Sequence, residues 1–251
     1  GIDMKIIVNG ANGTMGKKVI EAVGSGKFDA GIAALISRSF DVNEAEHKYP
    51  TLDAFTGETD CIIDFSNHEG TTALTDYCIR RKLPVVIATT GHTDYEMSLI
   101  KKAGENVPVF LAANTSVGVA VLRELVKKAV AAFPEADIEI IEKHHNRKAD
   151  APSGTALAFA NSIKEVRPDA VFVYGREGHA VREHNEIGIH AVRYGNEVGT
   201  HEIIISNGSE TITIKHEAEN RILFAEGALK AAKFIIDKPA GIYGMTELLN
   251  S

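Results

Sequence analysis

Between Glu142 and Ala156 the chain reads E-K-H-H-N-R-K-A-D-A-P-S-G-T-A, and several groups capable of chemistry stand within it. His144 and His145 bring imidazoles that change charge near neutral pH, and Lys148 brings an ammonium able to give up a proton. Ser153-Gly154-Thr155 opens a helical stretch directly after Pro152, where hydroxyls and first-turn N–H groups offer a carboxylate a ready site. Adjacent histidines on extended chain project to opposite faces and lack the i, i+4 spacing of helical zinc sites, so the pair is not read as a metal chelate. A plainer reading of the same stretch is a solvated loop in which Ser153 merely caps a helix.

A second signature lies near the start. Gly10-Ala11-Asn12-Gly13-Thr14-Met15-Gly16 follows the apolar run Ile6-Ile7-Val8 and leads into the helical stretch Lys17 to Val23. Glycines let the backbone turn sharply and approach a pyrophosphate, whose charge the helix start stabilises. The spacing is G-x-x-G-x-x-G, a variant dinucleotide fingerprint that gains its weight from standing between strand and helix. At the end of the second apolar run, Ala34-Leu35-Ile36-Ser37-Arg38, no carboxylate is present to hold the ribose hydroxyls of NADH, and Arg38 is placed to pair with the 2′-phosphate of NADPH. The expected cofactor is NADPH, NADH or both, with NADPH used at least as well.

The elements that must position these groups come from the apolar pattern. Short β-branched runs at Ile6–Val8, Gly31–Ile36, Cys61–Phe65, Val85–Ala88 and Val107–Leu111 alternate with helical stretches such as Glu69–Arg81 and Asp94–Gly104. That rhythm predicts βαβ units and a Rossmann-like, doubly wound parallel sheet over residues 4–115. Asn114-Thr115-Ser116 then reads as the cap of a helix whose Val117, Val121, Leu125 and Ala129 form one apolar face up to Pro134. Beyond it come a strand at Asp137–Lys143, a helix at Ser153–Val166 and further strands at Val171–Tyr174, Ile187–Tyr194, His201–Ser206 and Thr211–His216. Asn207-Gly208 is a two-residue hairpin signal. This predicts an inserted α+β domain with an open mixed sheet over 116–216. The Ala- and Leu-rich helix at Arg221–Ile236 should return to the first sheet, making 217–251 a C-terminal helical segment of the dinucleotide-binding domain.

A net charge of −7 argues against nucleic acid or an anionic membrane as partner. No apolar run approaches the ~20 residues of a membrane-spanning helix. The start of the chain carries no charged-then-apolar signal pattern, and Gly1-Ile2-Asp3 ahead of Met4 reads as an added segment, so the expected location is the cytoplasm. Cys61 and Cys78 read as buried thiols rather than a disulfide.

The string E-x-H-H-x-x-K-x-D-A-P-S-G-T-A resembles the signature of the 4-hydroxy-tetrahydrodipicolinate reductase (dihydrodipicolinate reductase) family. The likeness continues in Gly10–Gly16, Asp64-Phe65-Ser66 with Glu69-Gly70-Thr71, Ala88-Thr89-Thr90-Gly91, Ala112–Gly118, Arg176-Glu177-Gly178-His179, Ile187-Gly188 and Val198-Gly199, in order along almost the whole chain. The resemblance implies Gly10, Ala11, Asn12, Gly13, Thr14 and Met15 on the pyrophosphate and Arg38 at the adenosine end. It places Ala88, Thr89 and Thr90 with Ala112, Ala113, Asn114 and Thr115 around the nicotinamide. It makes His144 the acid/base and Lys148 the proton donor, and it gives a dicarboxylate substrate to His145, Ser153, Gly154 and Thr155. It further implies a homotetramer assembled through the inserted domain, and a role in lysine and diaminopimelate biosynthesis. Three departures bear on cofactor affinity: Thr14 replaces a usual arginine, Ala88 a usual glycine and Thr115 a frequent aromatic. The rivals are a sugar or aldehyde oxidoreductase of the same architecture, which leaves the Ser-Gly-Thr anion grip unexplained, and a non-catalytic dinucleotide-binding redox sensor, which would want a DNA- or partner-reading element.

Overall fold

The computed structural model describes residues 4–251; Gly1-Ile2-Asp3, read above as an added segment, lie outside the described residues. In chain order the elements are β1 (Met4–Asn9), α1 (Thr14–Gly24), β2 (Ala30–Ile36), β3 (Lys48–Tyr49), β4 (Cys61–Asp64), α2 (Thr71–Arg81), β5 (Val85–Ile87), α3 (Asp94–Asn106) and β6 (Pro108–Leu111). They continue with α4 (Val117–Ala132), β7 (Asp137–His144), α5 (Gly154–Val166), β8 (Val171–Tyr174), β9 (Glu186–Arg193), β10 (Gly199–Ser206), β11 (Thr211–Ala218), α6 (Ile222–Ile235), β12 (Gly241–Tyr243) and α7 (Met245–Leu249). Two compact units result: residues up to Ser116 together with Arg221–Ser251, and Val117–Asn220 between them. The second ends beyond the 216 expected because β11 continues to Ala218.

The first unit is a seven-stranded parallel sheet of order β12-β6-β5-β4-β1-β2-β3. Its strands are apolar in unbroken runs because both faces are covered. On one face Ile6, Val8, Cys61, Ile63 and Phe110 pack with Val19 and Ala22 of α1 and Ala225, Ala228 and Leu229 of α6. On the other, Ile7, Ile62, Val85 and Ile87 pack with Leu74 and Tyr77 of α2 and Ile100 of α3. Helix α6 sits unusually close: a Cβ on Gly227 would stand 1.7 Å from the Thr115 carbonyl oxygen, and the Thr115 hydroxyl donates to the Phe224 carbonyl at 2.7 Å. Strand β3, two residues long, is too short to show a period, and β12, Gly241–Tyr243, lacks the β-branched run that marks the equally short β5.

The second unit is a five-stranded mixed sheet, order β11-β10-β7-β9-β8, in which β7, β9 and β8 run parallel and β10 and β11 antiparallel to their neighbours. Helices α4 and α5 cover one face, over Ile138, Ile140, Ile187, Ile203 and Ile205.

Two sequence expectations are corrected here. The buried side of α4 is Val119, Ala120, Val126 and Val130, whereas Val121 and Leu125 are 39% and 48% exposed. A strict four-residue step turns about 40° further round a 3.6-residue helix each time, so Val117, Val121, Leu125 and Ala129 spiral off any single face. The β10–β11 connection is also longer than two residues: Ser206 pairs with Thr211, and the Asn207 side chain accepts from the N–H groups of Ser209 and Glu210 at 2.9 Å each, closing a four-residue loop. No helix among the described residues is long and apolar enough to cross a membrane.

Candidate active site

In the first unit the strand order reverses about β1, which lies between β4 and β2, and the loops leaving these three strands part to leave a crevice. Its volume is about 690 Å³, and Asn9, Gly10, Ser37, Arg38, Ser66 and Gly70 are among its walls. Gly10 adopts φ +86°, and a Cβ there would stand 2.3 Å from the Phe65 carbonyl oxygen. Gly16 faces the Gly10 carbonyl oxygen, 2.1 Å from where its Cβ would be. Only glycines allow this turn to fold so tightly against β4.

Helix α1 begins at Thr14, earlier than the pattern suggests. Its N-cap Gly13 supplies no side-chain hydrogen bond, and no acidic residue occupies its first turn. That is a helix start open to an anion. Asn12, Gly13 and Thr14 are exposed, whereas Ala11 and Met15 turn into the core, so these two can serve a ligand only through the backbone. Asn12 donates to the Ser39 hydroxyl at 3.0 Å, which is 2.9 Å from the Ser37 hydroxyl, beside exposed Arg38. Dinucleotide phosphates fit this set of donors.

Behind the crevice lies buried Asp64, whose Oδ1 accepts from Ser66 Oγ at 2.5 Å and Asn9 Nδ2 at 2.9 Å. Burial pushes its carboxyl up, against the lowering effect of Ser66, Thr89 and Asn9. The Thr89 hydroxyl accepts from the Ser66 N–H at 2.9 Å. Ala88 and Ala112 are buried, Thr90 and Ala113 exposed and Asn114 half-buried, all on the loops after β5 and β6. Thr115 is buried, and its hydroxyl donates to the Phe224 carbonyl of α6, so its side chain fastens that helix.

The second unit gathers its chemistry at the end of β7. Side chains two apart on a strand share a face, so Glu142 and His144 point together toward the helix-covered side. Register brings His201 of β10 opposite Glu142 and Arg193 of β9 opposite His144. Glu142 is fully buried and accepts four groups: His144 Nδ1 at 2.5 Å, Arg193 at 2.9 and 2.8 Å, and the Ser153 N–H at 3.0 Å. Burial alone would raise its pKa; the hydrogen bonds from His144 and Arg193 and the charge of His144 overcome that and hold it at about 2. The His201 ring lies edge-on to His144 at 5.2 Å, and burial, followed by the His144 charge, depresses its pKa to about 4.

After β7 the chain turns. Lys148 N–H donates to the His145 carbonyl, and Lys148 Nζ reaches Asp150 Oδ1 at 2.8 Å, holding that carboxyl below its usual range. His145 and Lys148 are half-buried. Ser153 caps α5, accepting from the Ala156 N–H at 3.1 Å, and its Oγ is 2.9 Å from His201 Nε2. The Ser153 hydroxyl is therefore buried and engaged at both the helix start and the imidazole. Exposed Gly154, with open space where a Cβ would be, and half-buried Thr155 form the accessible helix start.

Within this unit Glu142 links His144 to the start of α5, and Arg193 ties both to Asp150, the partner of Lys148, on the turn that also carries His145. Glu142, Arg193 and His201 were given no role from sequence. For Glu142 a signal existed, since a residue two before His144 on a predicted strand shares its face; for the other two, only strand register reveals them.

Residues 4–115 match the family model described as dihydrodipicolinate reductase, N-terminus, and residues 118–249 that described as dihydrodipicolinate reductase, C-terminus. The chain is 42% identical over 250 residues to the 4-hydroxy-tetrahydrodipicolinate reductase of Clostridium tetani, covering 99% of this chain and 98% of that one. It is 43% identical over 248 residues to the reductase of the same name from Caldanaerobacter subterraneus, covering 98% of each. Among solved structures, a dipicolinate-bound dihydrodipicolinate reductase from Paenisporosarcina sp. TG-14 shares the fold, with TM-score 0.81, 24% identity and coverage of 96% and 97%. With both halves matched in order and relatives of this identity along its full length, the chain belongs to the dihydrodipicolinate reductase family.

Proposed function

We propose that the protein reduces 4-hydroxy-tetrahydrodipicolinate to tetrahydrodipicolinate, in lysine and diaminopimelate biosynthesis, using NADPH or NADH. The observation that supports this reading is the shared hold on His144 and on the start of α5: Glu142 accepts from both His144 and the Ser153 N–H, and Lys148 lies on the turn between them. Two kinds of proton-bearing group stand there beside an anion-binding helix end, on a chain that also carries a dinucleotide crevice. The reduced nicotinamide, when bound, supplies the hydride. Overall one hydride and one proton are taken up and one water leaves.

The residues supply position and charge. Gly154, Thr155 and His145 bind the substrate carboxylates, with Ser153 shaping the helix start from beneath. His144 and Lys148 handle the protons, and the half-burial of Lys148 keeps its ammonium close to a ligand while Asp150 steadies it. On the cofactor side the Gly10–Met15 turn holds the pyrophosphate. Ala88, Thr90 and the Ala112–Asn114 backbone flank the nicotinamide, and Thr89 braces them through Ser66. Arg38, Ser37 and Ser39 favour the 2′-phosphate of NADPH. We place the enzyme in the cytoplasm as a homotetramer; the sheet face of the second unit opposite α4 and α5, with exposed Val171 and Val192, supports assembly there.

The test is consumption of NADPH and of NADH when substrate is generated in place from pyruvate and aspartate semialdehyde by the condensing enzyme that precedes this step. Oxidation only with the condensing enzyme present is expected. Its absence in a protein that binds dinucleotide would transfer the reading to another oxidoreductase.

A further inference from the structure

We propose that Glu142 is the positioning residue of the reaction's acid/base group: clamped by Arg193 and the Ser153 N–H, it fixes His144 through Nδ1 and leaves Nε2 as the nitrogen that exchanges protons with substrate. The proposal rests on the role of His144 in the function proposed above.

The argument begins with what Glu142 can accept and give. An ionised carboxylate has lone pairs and no proton, so the nitrogen 2.5 Å from it must carry the hydrogen. Glu142 is ionised at any pH where the enzyme would work, its pKa being held at about 2. The neutral His144 ring is therefore the Nδ1–H tautomer, with its lone pair on Nε2. That nitrogen has been given room: a Cβ on Gly199 would come within 3.0 Å of it, and glycine leaves that flank open.

The clamp is equally specific. Glu142 Oε1 receives Arg193 Nη2 and the Ser153 N–H, while Oε2 receives Arg193 Nη1 and His144 Nδ1. Arg193 Nη2 also donates to the Asp150 carbonyl at 2.8 Å, which ties the clamp to the turn carrying Lys148. The other charged or titratable groups about His144 are His201 on β10, His216 opposite it on β11, Glu197 before β10, and Lys148 with Asp150 after β7. Among the described residues, the ring hydrogen-bonds to Glu142.

This donor pattern predicts what an amide would do. In Glu142→Gln the single oxygen is claimed on the Oε1 side by Arg193 and the Ser153 N–H, so the NH₂ group faces Nδ1 and forces the proton of His144 to Nε2. An amide replacing the orienting carboxylate of a serine protease triad costs about 10⁴ in kcat for this reason.

The experiment combines ¹⁵N NMR of the His144 ring in the full-length enzyme with steady-state kinetics. The expected results are a proton on Nδ1 in the wild type and on Nε2 in Glu142→Gln, and a fall in kcat of roughly 100-fold or more in that variant with KM for the dinucleotide unchanged. A folded Glu142→Gln enzyme with wild-type kcat, or a wild-type ring protonated on Nε2, overturns the proposal. Should the uncompensated charge of half-buried Arg193 prevent Glu142→Gln from folding, Glu142→Asp keeps the ion pair but draws the carboxylate back from Nδ1. A kcat reduced about 10-fold at unchanged dinucleotide KM is then expected, and full activity counts against us. A wild-type protein without reductase activity would refute the functional reading, while the tautomer measurement would still decide the dyad on its own.

Discussion

The dinucleotide crevice and the His144 cluster solve the problem of holding charged ligands in different materials. The crevice is made of backbone: tight glycine contacts at Gly10 and Gly16, an uncapped helix start at Gly13, and a rim of hydroxyls beside one arginine. The cluster is made of ionisable side chains, with a fully buried carboxylate at its centre and imidazoles on two strands. A backbone site should tolerate changes of pH and resist added carbon atoms. A charge-built site should respond to pH and to loss of single charges.

The sharpest way to break that contrast is to remove the proton-handling groups. His144→Ala and Lys148→Ala should each lower kcat by about 10²–10⁴, with NADPH binding intact by fluorescence titration. Turnover near wild type in both would leave the cluster without its assigned chemistry.

Acid titration probes the same cluster through stability. The His201 pKa lies at about 4 in the folded protein, below the 6.5 of an ordinary imidazole. The unfolded chain therefore takes up the proton first, and the stability associated with neutral His201 is complete above pH 6.5 and drains away as pH falls to 4. The loss should reach roughly 3 kcal/mol. Glu142 and Glu139, with folded values of about 2 against 4.5, lose their contributions only below pH 4.5. Urea melts at pH 7, 5.5 and 4.5 should show a shallower decline for His201→Gln than for the wild type. Parallel declines would assign the acid sensitivity elsewhere.

Added carbon should hurt the first unit instead. Gly227→Ala places a methyl against the Thr115 carbonyl and should cost about 1–3 kcal/mol, read as a lower Tm at pH 7. An unchanged Tm would mean that α6 can move away freely. The smallest effect is expected at the rim, where Arg38→Ala should raise KM for NADPH about 10-fold and leave NADH nearly unaffected, a difference of ~1.4 kcal/mol. Equal changes for both cofactors would deny Arg38 its role in discrimination.

Much of this was readable beforehand because local rules govern it. The runs at Ile6–Val8, Cys61–Phe65 and Val85–Ala88 announce buried parallel strands, since a strand covered on both faces has no polar alternation to keep. The Gly10–Gly16 turn and the Ser153 cap are local too, set by residues within a few positions of each other. The face of α4 is harder to read because apolar residues flank its charged side of Arg123, Glu124, Lys127 and Lys128, and contact with the sheet chooses Val126 and Val130 over Val121 and Leu125. Ser153 and Thr115 were expected to face ligands. Their hydroxyls also bond His201 and the Phe224 carbonyl, partners 48 and 109 residues away that no local pattern announces.

Local sequence carries the signals of the two candidate sites, the glycine turn on its helix and the histidine–lysine stretch before another, because backbone sterics and helix ends act over a handful of residues. Which groups hold His144 was decided only in three dimensions. Glu142, Arg193 and His201 sit on three strands whose register depends on the packing of the whole sheet, and a hydrogen bond between side chains 51 residues apart has no local cause to read.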